Sequence, residues 1–233
     1  MNVICKEMRQ ELYRVFSELE VATEVRSIIL TGGEYVFSAG MDIKEMSNLP
    51  SEEGDEFLES MMKYLKKIYS CKKPIVAAVG GIALGGGFNL VTVCDLVVAS
   101  ESAIFCHPEL KFGFNPFFYP LSQIVGFTKA KEIVMLGEPI GANEALKIGL
   151  VNKVASPENF MKAAEDMAAV LAGRSAKALE ELKNLCSIVL RMDKMAALDI
   201  ESSICALLFA RDERKTQMQK VLSQKKVLTK SKE

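Results

Sequence analysis

Blocks of hydrophobic and polar positions change period along the chain, and those periods predict most of its elements. Met8, Leu12, Val15, Phe16 and Leu19 recur at helical spacing, which predicts an amphipathic helix over roughly Lys6–Glu20. Val25–Thr31 reads as a short strand broken by Gly32-Gly33, and Tyr35–Ala39 as a second strand closed by Gly40. Met41–Met46, with Asp42 in its first turn, predicts a short helix. Phe57, Met61, Tyr64, Leu65 and Ile68 predict a longer one ending near Cys71. The unbroken apolar run Ile75 to Val79 suits a strand, Pro74–Val79, covered on both faces. A glycine-rich turn through Gly85, Gly86 and Gly87 follows, then an apolar helical segment, Phe88–Cys94, and a strand, Asp95–Ala99. Beyond a short extended piece at Ala103–Phe105, helices are predicted at Thr128–Leu136 and Ala142–Ile148, and a last strand at Val151–Ala155. From Pro157 onward the pattern is helical, with breaks near Gly173 and Met192–Asp193. Strands alternating with helices, then helices alone, point to an α/β core with an α-helical C-terminal portion.

Composition narrows the partners. The 233 residues are 49% apolar and 25% charged, the balance of an ordinary globular protein with ample core. Basic residues number 29 and acidic ones 30, so there is no electrostatic case for nucleic acid. The late cluster Lys220, Lys225, Lys226, Lys230 and Lys232 reads as a solvated tail. No apolar run approaches membrane-spanning length, and Lys6, Glu7 and Arg9 interrupt any leader pattern, so a cytoplasmic protein is expected. Six cysteines without a CxxC spacing and a single histidine argue against a zinc site or a disulfide framework, and no metal is expected.

Two stretches carry candidate chemistry. Gly85, Gly86 and Gly87 open a helix, where backbone N–H groups lack intrahelical partners and can face negative charge; the alternative is a tight turn that binds nothing. The triplet lacks the Lys-Ser/Thr of a P-loop, and no serine stands in a nucleophile elbow. The second stretch, Lys111–Pro120, holds four phenylalanines, a tyrosine and two prolines. It is expected to be no regular helix, and to line either a pocket or an interface.

Phe37-Ser38-Ala39-Gly40-Met41-Asp42-Ile43, then Ala83-Leu84-Gly85-Gly86-Gly87, then Pro108-Glu109 resemble, in order and spacing, the crotonase superfamily of enoyl-CoA hydratases and isomerases. Cys94–Ala99 and Ala142–Val151 extend the resemblance over nearly the whole chain. The resemblance implies a crotonase-like ββα spiral core with an acyl-CoA site in residues 1–155, and a helical trimerisation region in 156–233. It implies a homotrimer or a hexamer made of two trimers. The implied substrate is an acyl-CoA thioester, with no separate cofactor because coenzyme A arrives as part of it. The backbone N–H groups of Met41 and Gly86 match the family's oxyanion hole, and Glu109 its Pro-Glu catalytic carboxylate. Ala39, Asp42, Ile43, Gly85, Asn89, His107 and Phe117 fall around the implied substrate site.

Four departures shape the functional expectation. The family's hydratases carry a second glutamate two residues after the glycine triplet, and Asn89 stands there. An amide orients water but moves no proton at neutral pH. A lone Glu109 therefore favours double-bond isomerisation. The alternatives are a hydratase in which Asn89 holds the water, and a non-catalytic acyl-CoA binder or assembly subunit. His107, two residues before Glu109, either tunes that carboxylate, touches substrate or serves a structural hydrogen bond. Aromatic residues replace the small ones common in the family at Lys111–Pro120, and Met41 stands where Ala is commoner. Met1-Asn2-Val3 aligns with the end of the family's opening β-hairpin segment, so either the protein is short there or its start lies further upstream, which leaves a sheet edge and some coenzyme A contacts in question.

Overall fold

The computed structural model describes residues 1–219 and 222. Helix α1 (Lys6–Val21) is followed by strands β1 (Ile28–Thr31) and β2 (Val36–Ser38), and by helices α2 (Ile43–Asn48) and α3 (Gly54–Tyr69). Next come β3 (Ile75–Val79), β4 (Ile82–Leu84), α4 (Gly86–Thr92), β5 (Leu96–Ser100) and β6 (Ile104–Cys106). Helices α5 (Phe118–Val125) and α6 (Phe127–Leu136), strand β7 (Ile140–Gly141), α7 (Ala142–Lys147) and β8 (Lys153–Ala155) follow. Each turn of the chain adds one strand to each of two sheets, ordered β1-β3-β5-β8 and β2-β4-β6-β7. All neighbours pair in parallel except β6 and β7. This is the ββα spiral that the family resemblance implied.

The first sheet shows why the central run reads as continuously apolar. Every residue of β3 is buried. Ile75, Ala77 and Val79 join the main core, while Val76 and Ala78 on the other face meet Phe160, Ala163, Ala164 and Ala168 of helix α8 (Phe160–Ala172). Period-two alternation puts successive side chains on opposite faces, and here both faces are covered.

Residues Met1–Leu171 form one compact unit, which includes nearly all of α8; a second unit begins at Ala172. The sequence reading divides the chain at residue 155, yet α8 is stitched to β3 and β5 by the alanines that let it approach the sheet closely. In the second unit, α9 (Ala176–Ile188) and α10 (Lys194–Phe209) begin where the breaks were expected. Ser175 caps one through Ala178 N–H, and Asp193 caps the other through Met195 N–H. The expected basic tail, Lys220 to Lys232, lies outside the described residues. Among the described residues no helix is long and apolar enough to cross a membrane.

Two segments differ from expectation. Strand β4 was read as part of the glycine turn, and Lys111–Pro120, expected to hold no regular helix, ends inside the first turn of α5. Helix α5 holds Pro120 as its third residue, within the first turn, where a backbone N–H has no intrahelical acceptor to lose. Proline breaks helices one turn further in, not there.

Tyr64, on α3, is fully buried with no hydrogen-bond partner for its hydroxyl among the described residues, and that burial pushes its pKa up. An unsatisfied buried hydroxyl lowers stability, so Tyr64→Phe should leave the unfolding free energy unchanged or raise it by about 1 kcal/mol. Urea denaturation reads this directly; a clear loss of stability would mean that the hydroxyl is satisfied.

Candidate active site

Three loops leave the C-terminal ends of three neighbouring parallel strands, β2, β4 and β6, and converge. The first runs through Ala39-Gly40-Met41. Its backbone is pinned by the N-terminal segment: Ala39 N–H donates to Met1 O (3.1 Å) and Ile4 N–H donates to Gly40 O (2.8 Å). Ser38 Oγ donates to Asn2 O (2.7 Å) and accepts from Gly40 N–H (3.2 Å). Gly40 has φ +90°, and a Cβ there would stand 2.7 Å from Leu84 O and 3.3 Å from Gly86 N. The loops after β2 and β4 are thus in backbone contact, which only glycine permits.

The second loop is Gly85, with φ +49° and ψ −115°, which turns the chain from β4 into α4. Gly85 N–H donates across to Cys106 O (2.9 Å), fixing this loop against the end of β6. Gly86 is the first residue of α4, so its N–H lies beyond the reach of any intrahelical acceptor. Met41 forms an isolated parallel bridge with Ile4. In that pattern the flanking residues make the bonds, and Met41's own N–H faces away from the N-terminal segment. Neither N–H finds a protein acceptor among the described residues. The Met41 side chain lies over Gly86, its Cγ and Sδ each 3.2 Å from where a Cβ would be.

The third loop supplies the acid. Glu109 opens a short 3₁₀ turn after β6, and its Oε1 lies 3.3 Å from the position of a Gly85 Cβ. The carboxylate is therefore one residue from the free N–H of Gly86, with 17% of its side chain exposed. Fully buried His107 stands beside it, Nδ1 3.2 Å from both Glu109 oxygens. An ionised carboxylate only accepts, so it requires the Nδ1–H form of the imidazole. Nε2 is then a buried acceptor without a partner, and Phe88 stacks on the ring at 4.3 Å. Asn89 lies one turn along α4 from Gly85, on the same helical face. It is 5% exposed, and its Oδ1 has no hydrogen-bond partner.

Met41, Gly85, Gly86 and Glu109 are thus gathered, with His107 and Asn89 adjoining. Ala39 is half-buried in the same loop. Asp42 and Ile43 lie at the start of α2. Asp42 Oδ1 accepts from Lys44 N–H (2.9 Å) and Glu45 N–H (3.3 Å) as the cap of α2, and Ile43 is largely exposed. Phe117 precedes α5 and packs, half-buried, on the main core. Ser38 and Ile4, which hold the first loop, were given no role from the sequence, although Ser38 lies inside the quoted motif. The thiol of Cys106, at the end of β6, is pushed up in pKa by burial and donates to Gly137 O (3.3 Å), so it is no ready nucleophile. What remains is two backbone N–H groups, of Met41 and Gly86, in the loops beside the one that carries the Glu109 carboxylate. Such donors stabilise a developing oxyanion while the carboxylate moves a proton.

The family model described as enoyl-CoA hydratase/isomerase matches residues 1–231. A short-chain-enoyl-CoA hydratase of Clostridium acetobutylicum is 34% identical over 231 residues, 97% of this chain and 88% of that protein. A crotonyl-CoA hydratase of Syntrophomonas wolfei is 33% identical over 230 residues, with the same shares covered. The crystal structure of an enoyl-CoA hydratase from Bacillus anthracis superimposes with a TM-score of 0.89 at 26% identity, over 94% of this chain and 86% of that one.

Proposed function

The chain belongs to the enoyl-CoA hydratase/isomerase family, and from that premise we propose that it shifts the double bond of an enoyl-CoA with Glu109 as the only proton carrier. The thioester oxygen accepts from the N–H groups of Met41 and Gly86. Glu109 lifts a proton from C2 of a 3-enoyl-CoA, and the electron pair delocalises through the thioester onto that oxygen. The protonated Glu109 then returns the proton to C4, which leaves the double bond between C2 and C3. No atom enters or leaves. The observation that supports this reading is the single carboxylate beside Gly85, with an amide, Asn89, at the family's second glutamate position. The reading includes a trimer, or a dimer of trimers, joined through the C-terminal helices.

A second reading is a hydratase, favoured because the matched relatives bear that name. In it the buried, unpartnered Asn89 Oδ1 accepts a hydrogen bond from the attacking water and Glu109 does all the proton work. Purified protein offered both 2-trans- and 3-enoyl-CoA esters in heavy-oxygen water distinguishes the two. Migration without oxygen uptake supports the isomerase; oxygen in a 3-hydroxyacyl product supports the hydratase. Binding without exchange of C2 protons would indicate a non-catalytic acyl-CoA protein. In the same assay Asn89→Glu should create hydration, or raise it by at least about 10-fold, because it restores the second acid/base. No gain in a folded variant would remove Asn89 from that position.

A further inference from the structure

Arg9 is a charged residue on the core-facing side of α1, and it is only 3% exposed. Its guanidinium satisfies several acceptors at once. Nη2 donates to Glu45 Oε1 (2.6 Å), Nη1 to Glu45 Oε2 (3.0 Å) and to Ile4 O (3.3 Å), and Nε to Ser60 Oγ (2.8 Å). The plane also lies over the ring of Phe57, 4.6 Å from its centroid. Buried ion pairs often contribute little net stability, because desolvation offsets the attraction. Stability alone is thus a weak reason for this one.

Its two main partners lead to the same peptide bond. Ile4, whose carbonyl Arg9 binds, donates its N–H to Gly40 O (2.8 Å), and its Cδ1 lies 3.3 Å from where a Gly86 Cβ would be. Glu45, whose carboxylate Arg9 grips at both oxygens, stands in the first turn of α2, which begins directly after Met41-Asp42. Its N–H also donates to the Asp42 cap. One guanidinium therefore holds the chain on both sides of Gly40–Met41. The carbonyl of that peptide faces Ile4, and in a trans peptide the N–H points the opposite way.

We propose that Arg9 is a positioning residue for the oxyanion hole: by tying Ile4 to Glu45 it fixes the plane of the Gly40–Met41 peptide, and so the direction of the Met41 N–H. This rests on the reading of Met41 N–H as an oxyanion donor. A rigid fork suits the task, since a lysine ammonium cannot span both partners in fixed geometry.

The test uses Arg9→Met, Arg9→Lys and the double variant Arg9→Met/Glu45→Met. The double variant leaves no unpaired buried charge and stays folded if the single Met variant does not. The probe is butyryl-CoA carrying carbon-13 at the thioester carbonyl, whose stretching frequency falls when an oxyanion hole polarises it. Alongside it, C2-proton exchange and turnover are measured. In wild-type protein the frequency should fall on binding. In the folded Arg9 variants the fall should be reduced, with kcat lowered roughly 10- to 100-fold while KM changes by no more than about 3-fold. Arg9→Lys should retain the fold without restoring kcat. A wild-type frequency shift and kcat in any folded Arg9 variant would overturn the proposal. A purely structural role would lower the unfolding midpoint and leave the carbonyl shift of the folded fraction unchanged, which also overturns it. Absence of any shift in the wild type would instead refute the oxyanion-hole reading itself.

Discussion

Glu109→Gln should lower double-bond migration and C2-proton exchange by about 10³-fold, within the range that a positioned acid/base contributes. The substitution keeps the size and shape of the side chain. Glu109 is bonded to His107 Nδ1, and a glutamine offers the same imidazole N–H an amide oxygen. The melting temperature and the affinity for a saturated acyl-CoA should therefore stay close to wild type. The loss should appear in kcat rather than KM, because the proton is transferred only on the way to the transition state. Exchange in heavy water followed by mass spectrometry is the direct readout. Retained exchange in the folded variant would place the base elsewhere.

Gly40→Ala should lower both stability and turnover. At φ +90° a residue with a Cβ is strained by about 1–3 kcal/mol, and that Cβ would stand 2.7 Å from Leu84 O, a backbone atom at the end of β4. Either β4 or the loop must move. For a chain of this size each kcal/mol lowers the melting temperature by roughly 2–4 °C. The same shift disturbs both proposed donors, since Gly40 precedes Met41 and its Cβ would also approach Gly86 N at 3.3 Å. Loss of one donor typically costs about 10²- to 10³-fold in rate, so a folded Gly40→Ala should fall in that range. Wild-type turnover in a folded variant would mean that this loop does not face the reacting group.

The parts of this protein legible in its sequence are those set by local periodicity. The apolar run of β3, the glycine turn and the amphipathic faces of α1 and α3 each repeat over enough residues to be read. Strand β4 was not, because three residues between glycines carry no period, and its identity comes from pairing with β2 and β6 far along the chain. Helix α5 was masked by Pro120, whose harmlessness depends on a helix start that proline cannot announce. The candidate site divides in the same way. Glu109 and the glycines lie in short motifs and were found by resemblance. Arg9 was read only as a charge interrupting a leader pattern, since the burial that gives it meaning is created by Glu45, Ser60 and Ile4 from three other segments. Asp42 lay inside a motif, yet its carboxylate serves the helix it opens.

The second sheet acts as a ruler. Hydrogen-bonded strands lie about 4.8 Å apart, and the two donor loops and the carboxylate loop leave three consecutive strands of that sheet. The strand spacing limits how far the proposed proton carrier can stand from an atom held by the proposed donors, and Glu109 lies back against Gly85. On the proposed reading, reactivity is thereby confined to the few carbons nearest the thioester, however long the chain beyond them. On that reading, changes at residues that contact the rest of the substrate would alter which molecule is accepted without altering which of its bonds is rearranged.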